Sequence, residues 1–151
     1  MCIRDSYTEG WALYAEYLAG NDMGMYEGNP LGDLGRLKDE MFRAVRLVVD
    51  TGIHHKRWTR EQAIDYMAEK TGKSAGDVER EIERYVVWPG QATAYKTGQL
   101  AILRLRRHAE DELGERFVLR DFNEAVLENG AMPLGILEEV IKAWVEEEKS
   151  K

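Results

Sequence analysis

Cysteine is almost absent from this chain. Cys2 stands alone among 151 residues, which excludes an internal disulfide and a cysteine-rich zinc knuckle and leaves the cellular compartment open. No segment approaches the ~20 consecutive apolar residues that a membrane-spanning helix needs. Met1 to Ser6 lack the apolar stretch of a signal peptide. Positive charge is in deficit, with 21 Lys and Arg against 28 Asp and Glu and a net charge of −7. Nucleic-acid phosphates would be repelled unless a basic patch were segregated. The densest basic cluster, Arg104-Leu105-Arg106-Arg107-His108, is followed at once by Glu110-Asp111-Glu112 and reads as a solvated helix face. Strand signals are lacking too, and so are internal repeats. What remains, 44% hydrophobic and 32% charged residues, describes a globular chain of one domain's length, long enough to bury about 68–70% of its unfolded surface.

Amphipathic helical periodicity fills that length. A first helix is expected from about Thr8 to Gly20, presenting Trp11, Leu13, Tyr14, Tyr17 and Leu18. A glycine-rich loop from Asn21 to Gly35, containing Pro30, separates it from a second helix over Leu37 to Asp50. Leu37, Met41, Ala44, Leu47 and Val48 recur there at helical steps. Thr51-Gly52 reads as a stop and Ile53-His54-His55 as a turn. Thr59-Arg60-Glu61-Gln62 has the form of a capping box, opening a helix that ends at Gly72. Ser74 caps the next, with Val78, Ile82 and Tyr85 on one face. Pro89-Gly90 interrupts it, because proline disfavours helical geometry at Trp88. A long helix restarts near Gln91 and runs to Leu113, followed by helices over Leu119–Asn129 and Pro133–Lys149, with a charged tail that frays. The expected class is all-α, six to seven helices. Met23, Met25, Met41, Met67 and Met132 read as gap-filling apolar residues.

Several clusters stand out from this pattern. Glu9 and Glu16 place two carboxylates on one helical face about two turns apart. Glu9 can serve as a metal ligand or simply complement the helix dipole. His54, beside His55, can donate to a reacting carbonyl or sit favourably at a helix C-terminus. Adjacent histidines make a poor metal clamp, which wants i and i+4 spacing on a helix. Around the proline–glycine break, Arg84 offers a fork for a carboxylate, Tyr85 and Tyr95 offer neutral hydroxyl donors, and Lys96 offers a point charge. A peptidase needs such groups around an oxyanion and a substrate terminus. Core tyrosines and helix-covering cations are the alternative. Gly130-Ala131-Met132-Pro133-Leu134 reads as a structural connection.

In order along the chain, Glu9-Gly-Trp-Ala-Leu-Tyr-Ala-Glu16, Arg43-Ala-Val-Arg-Leu-Val-Val-Asp-Thr-Gly-Ile-His54 and Trp58-Thr-Arg-Glu-Gln-Ala-Ile64 form a series. It continues with Arg84-Tyr85, Pro89-Gly-Gln-Ala92, Tyr95-Lys96, Leu113-Gly with Phe117, and Gly130-Ala-Met-Pro-Leu134. The series resembles the bacterial domain-of-unknown-function 885 family, related to zinc peptidases of the H-E-x-x-H clan, over about Tyr7 to Trp144. The resemblance implies that residues 7–151 are the C-terminal part of a larger, mainly helical zinc-peptidase-like fold. Its N-terminal half, with the zinc motif, is missing here and would be the natural partner. Met1 to Ser6 match nothing in the family and read as a non-native leader.

The same resemblance makes Glu9 the third zinc ligand. Arg84-Tyr85 is similar to the Arg-Tyr pair of dipeptidyl carboxypeptidases of the angiotensin-converting type, making Tyr85 the oxyanion donor, helped by His54. Arg84, Gln91, Tyr95 and Lys96 would contact a peptide substrate. Asn123 departs from the pattern, where histidine is expected. The resulting expectation is a fragment of a zinc-dependent peptidase, inactive alone, with a first helix whose apolar face is exposed for the missing half. The rival expectation is a non-catalytic helical module that binds a peptide or protein, since fold does not fix function.

Overall fold

Apolar residues at three- and four-residue steps become helices throughout the computed structural model, which describes residues 5–151. Seven α-helices and two single 3₁₀ turns follow one another, and no strand occurs among the described residues. They are α1 (Asp5–Asn21), α2 (Pro30–His54), α3 (Arg60–Thr71), α4 (Ala75–Val87), α5 (Ala94–Leu113), α6 (Leu119–Leu127) and α7 (Leu134–Ser150). The expected all-α class is therefore the observed one. Of the leader assigned to Met1–Ser6, the first four residues lie outside the described residues, and Asp5 and Ser6 form the start of α1.

Local chemistry explains the boundaries, including those that differ from expectation. The capping box is present: the Thr59 hydroxyl accepts from the Gln62 N–H, and the Gln62 side chain accepts from the Thr59 N–H. Ser74 caps α4 by accepting from the Asp77 N–H. α2 begins seven residues earlier than the apolar period predicts. Asn29 accepts from the Gly32 N–H at 3.0 Å, and Pro30 takes the first helical position with its φ already set. Nor does α2 stop at Thr51-Gly52. The Thr51 hydroxyl bonds back to the carbonyls of Leu47 and Val48, and Gly52 gives the Trp58 indole room to lie against the helix. His54 is thus helical, rather than in a turn. Pro133 is the residue before α7 rather than its first, and the charged tail stays helical to Ser150.

Packing divides the buried side chains into two clusters. One joins α1, α5, α6 and α7 through Tyr7, Tyr14, Ile102, Leu105, Phe122 and Ile141, among others. The other joins α2, α3 and α4 through Val45, Val49, Met67, Val78, Ile82 and Tyr85. α1 lies against α5, and the two backbones approach most closely at Gly10 and Gly98. A Cβ on Gly98 would drive into the Ser6 carbonyl oxygen and the Gly10 Cα. This corrects the expectation for the first helix. Leu13 and Tyr14 are buried, and Trp11, Tyr17 and Leu18 pack against the same cluster, so the rest of this chain covers that apolar face. The exposed apolar stripe lies instead on α2, at Leu34, Leu37, Met41 and Val48. Of the methionines read as gap-filling, Met67 and Met132 are buried in the core, whereas Met23, Met25 and Met41 face solvent. Asn123 accepts a hydrogen bond from the Tyr14 hydroxyl at 3.1 Å, which ties α6 to α1.

Candidate functional site

Arg46, Asp50 and His54 recur every four residues on α2, forming a polar stripe in which Arg46 and Asp50 are buried and His54, at its end, is exposed. The break after α4 is held by that stripe. Gly90 adopts a left-handed conformation (φ +80°), and its N–H donates to both Asp50 carboxylate oxygens at 3.1 and 3.0 Å. The Thr93 hydroxyl donates to the Gly90 carbonyl at 2.7 Å and closes the turn. Burial raises the Asp50 pKa above the usual carboxylate value, although the Gly90 N–H, His54 and Arg46 each work to lower it.

The turn delivers Gln91 to the end of α4. Its side-chain oxygen accepts from two guanidiniums, Arg84 Nη1 and Arg46 Nη2, each at 3.2 Å. Arg84 also donates to Glu81 at 2.8 Å, and the Tyr85 hydroxyl donates to the same Glu81 oxygen at 2.7 Å. Burial acts to raise the Glu81 pKa, but the Arg84 and Tyr85 bonds outweigh it and the carboxyl stays below its usual value. Tyr85 is only 1% exposed, and burial, then Glu81, raises its pKa and keeps the phenol protonated. His54 Nε2 lies 2.9 Å from the Tyr85 backbone carbonyl. The Arg46 guanidinium sits 4.4 Å from the Tyr95 ring centre and 5.6 Å from that of Tyr85.

Of the residues singled out from sequence, Arg84, Tyr85, Gln91 and Tyr95 therefore come together around Arg46, and His54 joins them only through the Tyr85 backbone carbonyl. Lys96 does not join them. It donates to Glu40 at 2.8 Å and Gln99 at 2.7 Å, bridging α2 and α5. Glu9 is on α1, half-buried beside the Gly10–Gly98 crossing, while Glu16 is exposed. Among the described residues no three His, Cys, Asp or Glu side chains gather into a set that could hold a metal. Glu9 is a single donor, so the residues present do not fit a zinc ion by themselves.

Sequence reading passed over two members of the cluster, Arg46 and Glu81. Both carried a signal: Arg46 is two turns before His54 on one helical face, and Glu81 is one turn before Tyr85. A groove of about 410 Å³ lies elsewhere, between α5 and α7, lined by Thr97, Leu100, Arg104, Leu134 and Glu138.

No curated protein matches the chain. Among solved structures it is similar to "the putative lipoprotein from Colwellia psychrerythraea", at 57% identity and a TM-score of 0.91 over 95% of its length. The chain spans 24% of that protein's length. A family profile described as bacterial protein of unknown function (DUF885) matches residues 1–141, and the chain belongs to that family.

Proposed function

We propose that this chain forms the C-terminal helical part of a zinc-dependent peptidase and supplies one wall of its peptide-binding cleft. The observation that carries the reading is the convergence of Arg84, Tyr85, Gln91 and His54 at the Pro89-Gly90 break, brought from α2, α4 and the following turn. Tyr85 is held protonated, the form able to donate to a developing oxyanion. Its hydroxyl would leave Glu81 to do so. His54 positions Tyr85 through the backbone carbonyl. Gln91, Arg84 and Tyr95 would orient the substrate, and Lys96 would flank it from α5. In the intact protein Glu9 would be one zinc ligand, the others coming from outside this chain.

One observation favours the rival reading, a helical module that binds a peptide without cleaving it. The Tyr85 hydroxyl and the His54 ring both already have internal partners. The two readings part in the longer Colwellia relative, assayed for zinc content and peptide hydrolysis. A peptidase should hold zinc and turn over peptides. Replacing the residue that matches Glu9 with Ala should then abolish both. Replacing the one that matches Tyr85 with Phe should slow turnover about 10²–10³-fold and leave the zinc in place. A zinc-free protein that binds peptides without turnover would establish the binding module instead.

A further inference from the structure

Arg46 is only 6% exposed, yet it forms no ion pair among the described residues, and its buried Nε has no hydrogen-bond partner. A buried charge without a paired anion is costly, and so is a buried N–H without an acceptor. The neighbouring acids make their hydrogen bonds elsewhere, Asp50 to the Gly90 N–H and Glu81 through one oxygen to Arg84 and Tyr85, and attract Arg46 only at longer range. The single acceptor offered to Arg46 is the neutral side-chain oxygen of Gln91, which Arg84 shares.

Distances within one residue show how poor a partner that oxygen is. Arg84 reaches the Glu81 carboxylate at 2.8 Å but the Gln91 amide at 3.2 Å, and Arg46 reaches it at 3.2 Å as well. Charge-assisted bonds from guanidinium to carboxylate run at about 2.7–2.9 Å. A neutral acceptor thus occupies a place where two cations converge. Arg46 Nε and Nη2 form one edge of a planar fork that matches the two oxygens of a carboxylate. Aromatic faces of Phe42, Tyr85 and Tyr95 surround that fork and fix its plane.

We propose that Arg46 and Arg84 form a carboxylate clamp, with Gln91 as the internal stand-in that a ligand carboxylate displaces. One carboxylate oxygen takes the position of the Gln91 side-chain oxygen between the guanidiniums, and the other meets Arg46 Nε. Gln91 and Arg84 are half-buried, so the ligand enters from their side as the Gln91 side chain swings out. The ligand class is a peptide bearing a carboxylate, at its C-terminus or on an acidic side chain. The clamp rests on the peptide-cleft reading and names the feature of the peptide that the cleft selects.

The test is titration of the 151-residue chain, followed by NMR, with three probes: a short neutral peptide as the free acid, the same peptide as its C-terminal amide, and an amide carrying one Glu side chain. Inorganic phosphate is a fourth. The free acid or the Glu peptide should bind at least about tenfold more tightly than the neutral amide, and which of them does so identifies the source of the carboxylate. Arg46→Met should remove that preference, and Gln91→Ala should strengthen it several-fold by vacating the place of the carboxylate. A purely structural arginine would give no gain from Gln91→Ala. Arg46→Lys, which keeps the charge and loses the fork, serves if Arg46→Met fails to fold, and it too should weaken the preference. Equal binding of acid and amide, a preference that survives loss of Arg46, or tighter binding of phosphate than of carboxylate would each overturn the clamp. The readout needs neither zinc nor hydrolysis. A zinc-free, inactive relative would remove the peptidase reading and leave the clamp, whereas an active relative whose peptide preference ignores Arg46 would remove the clamp alone.

Discussion

Tyr14 and Tyr85 are both fully buried, one in each hydrophobic cluster, and their surroundings differ in kind. The Tyr14 hydroxyl bonds to a neutral amide, Asn123, and burial pushes its pKa up to about 12. The nearby cation, Arg106, is fully engaged: two of its nitrogens hold the Asp22 carboxylate at 2.9 and 2.8 Å, and a third holds Glu110. Tyr85 bonds to a carboxylate and has two guanidiniums around it, of which Arg46 has no anion of its own. The half of the molecule formed by α1 and α5–α7 pairs its polar groups and closes over an apolar core. The half formed by α2–α4 buries Arg46 without a direct ion pair, its charge reaching Asp50 and Glu81 only at longer range. Proteins tolerate such an imbalance where a ligand completes it, which is why the candidate site is placed in the second half.

The largest effect expected tests the tightness of the first half. Gly98→Ala forces a Cβ into the Ser6 carbonyl and the Gly10 backbone, so α1 must shift off α5, at a cost of about 3 kcal/mol. Gly35 is exposed in α2, and a Cβ added there would meet nothing within 4 Å, so Gly35→Ala should gain about 0.5–1 kcal/mol. Urea denaturation of both variants checks the pair. Similar costs at the two positions would mean that the Gly10–Gly98 crossing is loose.

Arg46→Met probes the other half with an intermediate effect of opposite sign. Replacing a buried charge that has no direct ion pair by an apolar side chain of similar length is expected to leave stability unchanged or raise it by about 1 kcal/mol. A thermal melt showing a loss of several kcal/mol would mean that Arg46 is a structural keystone, and that the halves differ less than their ion pairs imply.

The carboxylates distinguish the halves by their pH dependence. Arg106 holds the Asp22 pKa below its usual value, so Asp22 contributes stability above the unfolded pKa and loses it as pH falls through the lowered folded one. Burial raises the Asp50 pKa, so the stability linked to its protonated form is present below the unfolded pKa and is lost as pH rises through the raised folded one. Asp22→Asn should therefore cost most near pH 7 and little in acid. The advantage of wild type over Asp50→Asn should instead grow as pH falls from about 7 toward about 4. Denaturation curves for both variants across that range should slope in opposite senses, and parallel slopes would erase the distinction.

How much of this was legible in the sequence depends on whether the signal was local. The Thr59 capping box, the Ser74 cap, the Gly72 stop and the Pro89-Gly90 break are fixed by neighbouring residues, and each lies where expected. The start of α2 escapes a sequence reading because Pro30 fits equally as loop or as first helical residue until Asn29 is seen to cap it. The site was half legible. Arg84, Tyr85 and Gln91 cluster around one visible break, but Arg46 is 45 residues from Gln91 in sequence, and only packing brings them together. Lys96 turns to Glu40, 56 residues away in sequence, a pairing that local spacing does not reveal.

The direction in which α2 faces is the hardest of these to read, and it yields the smallest expected effect. Leu37, Met41, Ala44 and Val48 have the period of a core face, yet Met41 is 51% exposed and borders an open groove of about 320 Å³ with Leu37, Glu40, Ala44 and Lys96. The core-facing residues of the same helix are Val45 and Val49, one step around the cylinder. Periodicity alone cannot choose between two apolar stripes so close in angle. Val45 and Val49, with buried Arg46 and Asp50 beside them, turn their side of α2 toward α4 and the Gly90 turn and leave the other outward. If that is the controlling geometry, Met41→Glu should change stability by less than about 0.5 kcal/mol, because the new charge enters water one turn from Lys38. A cost at Met41 that grows with protein concentration would instead show copies of the chain meeting across this face, and the contrast between a closed first half and an open second half would then hold for the monomer alone.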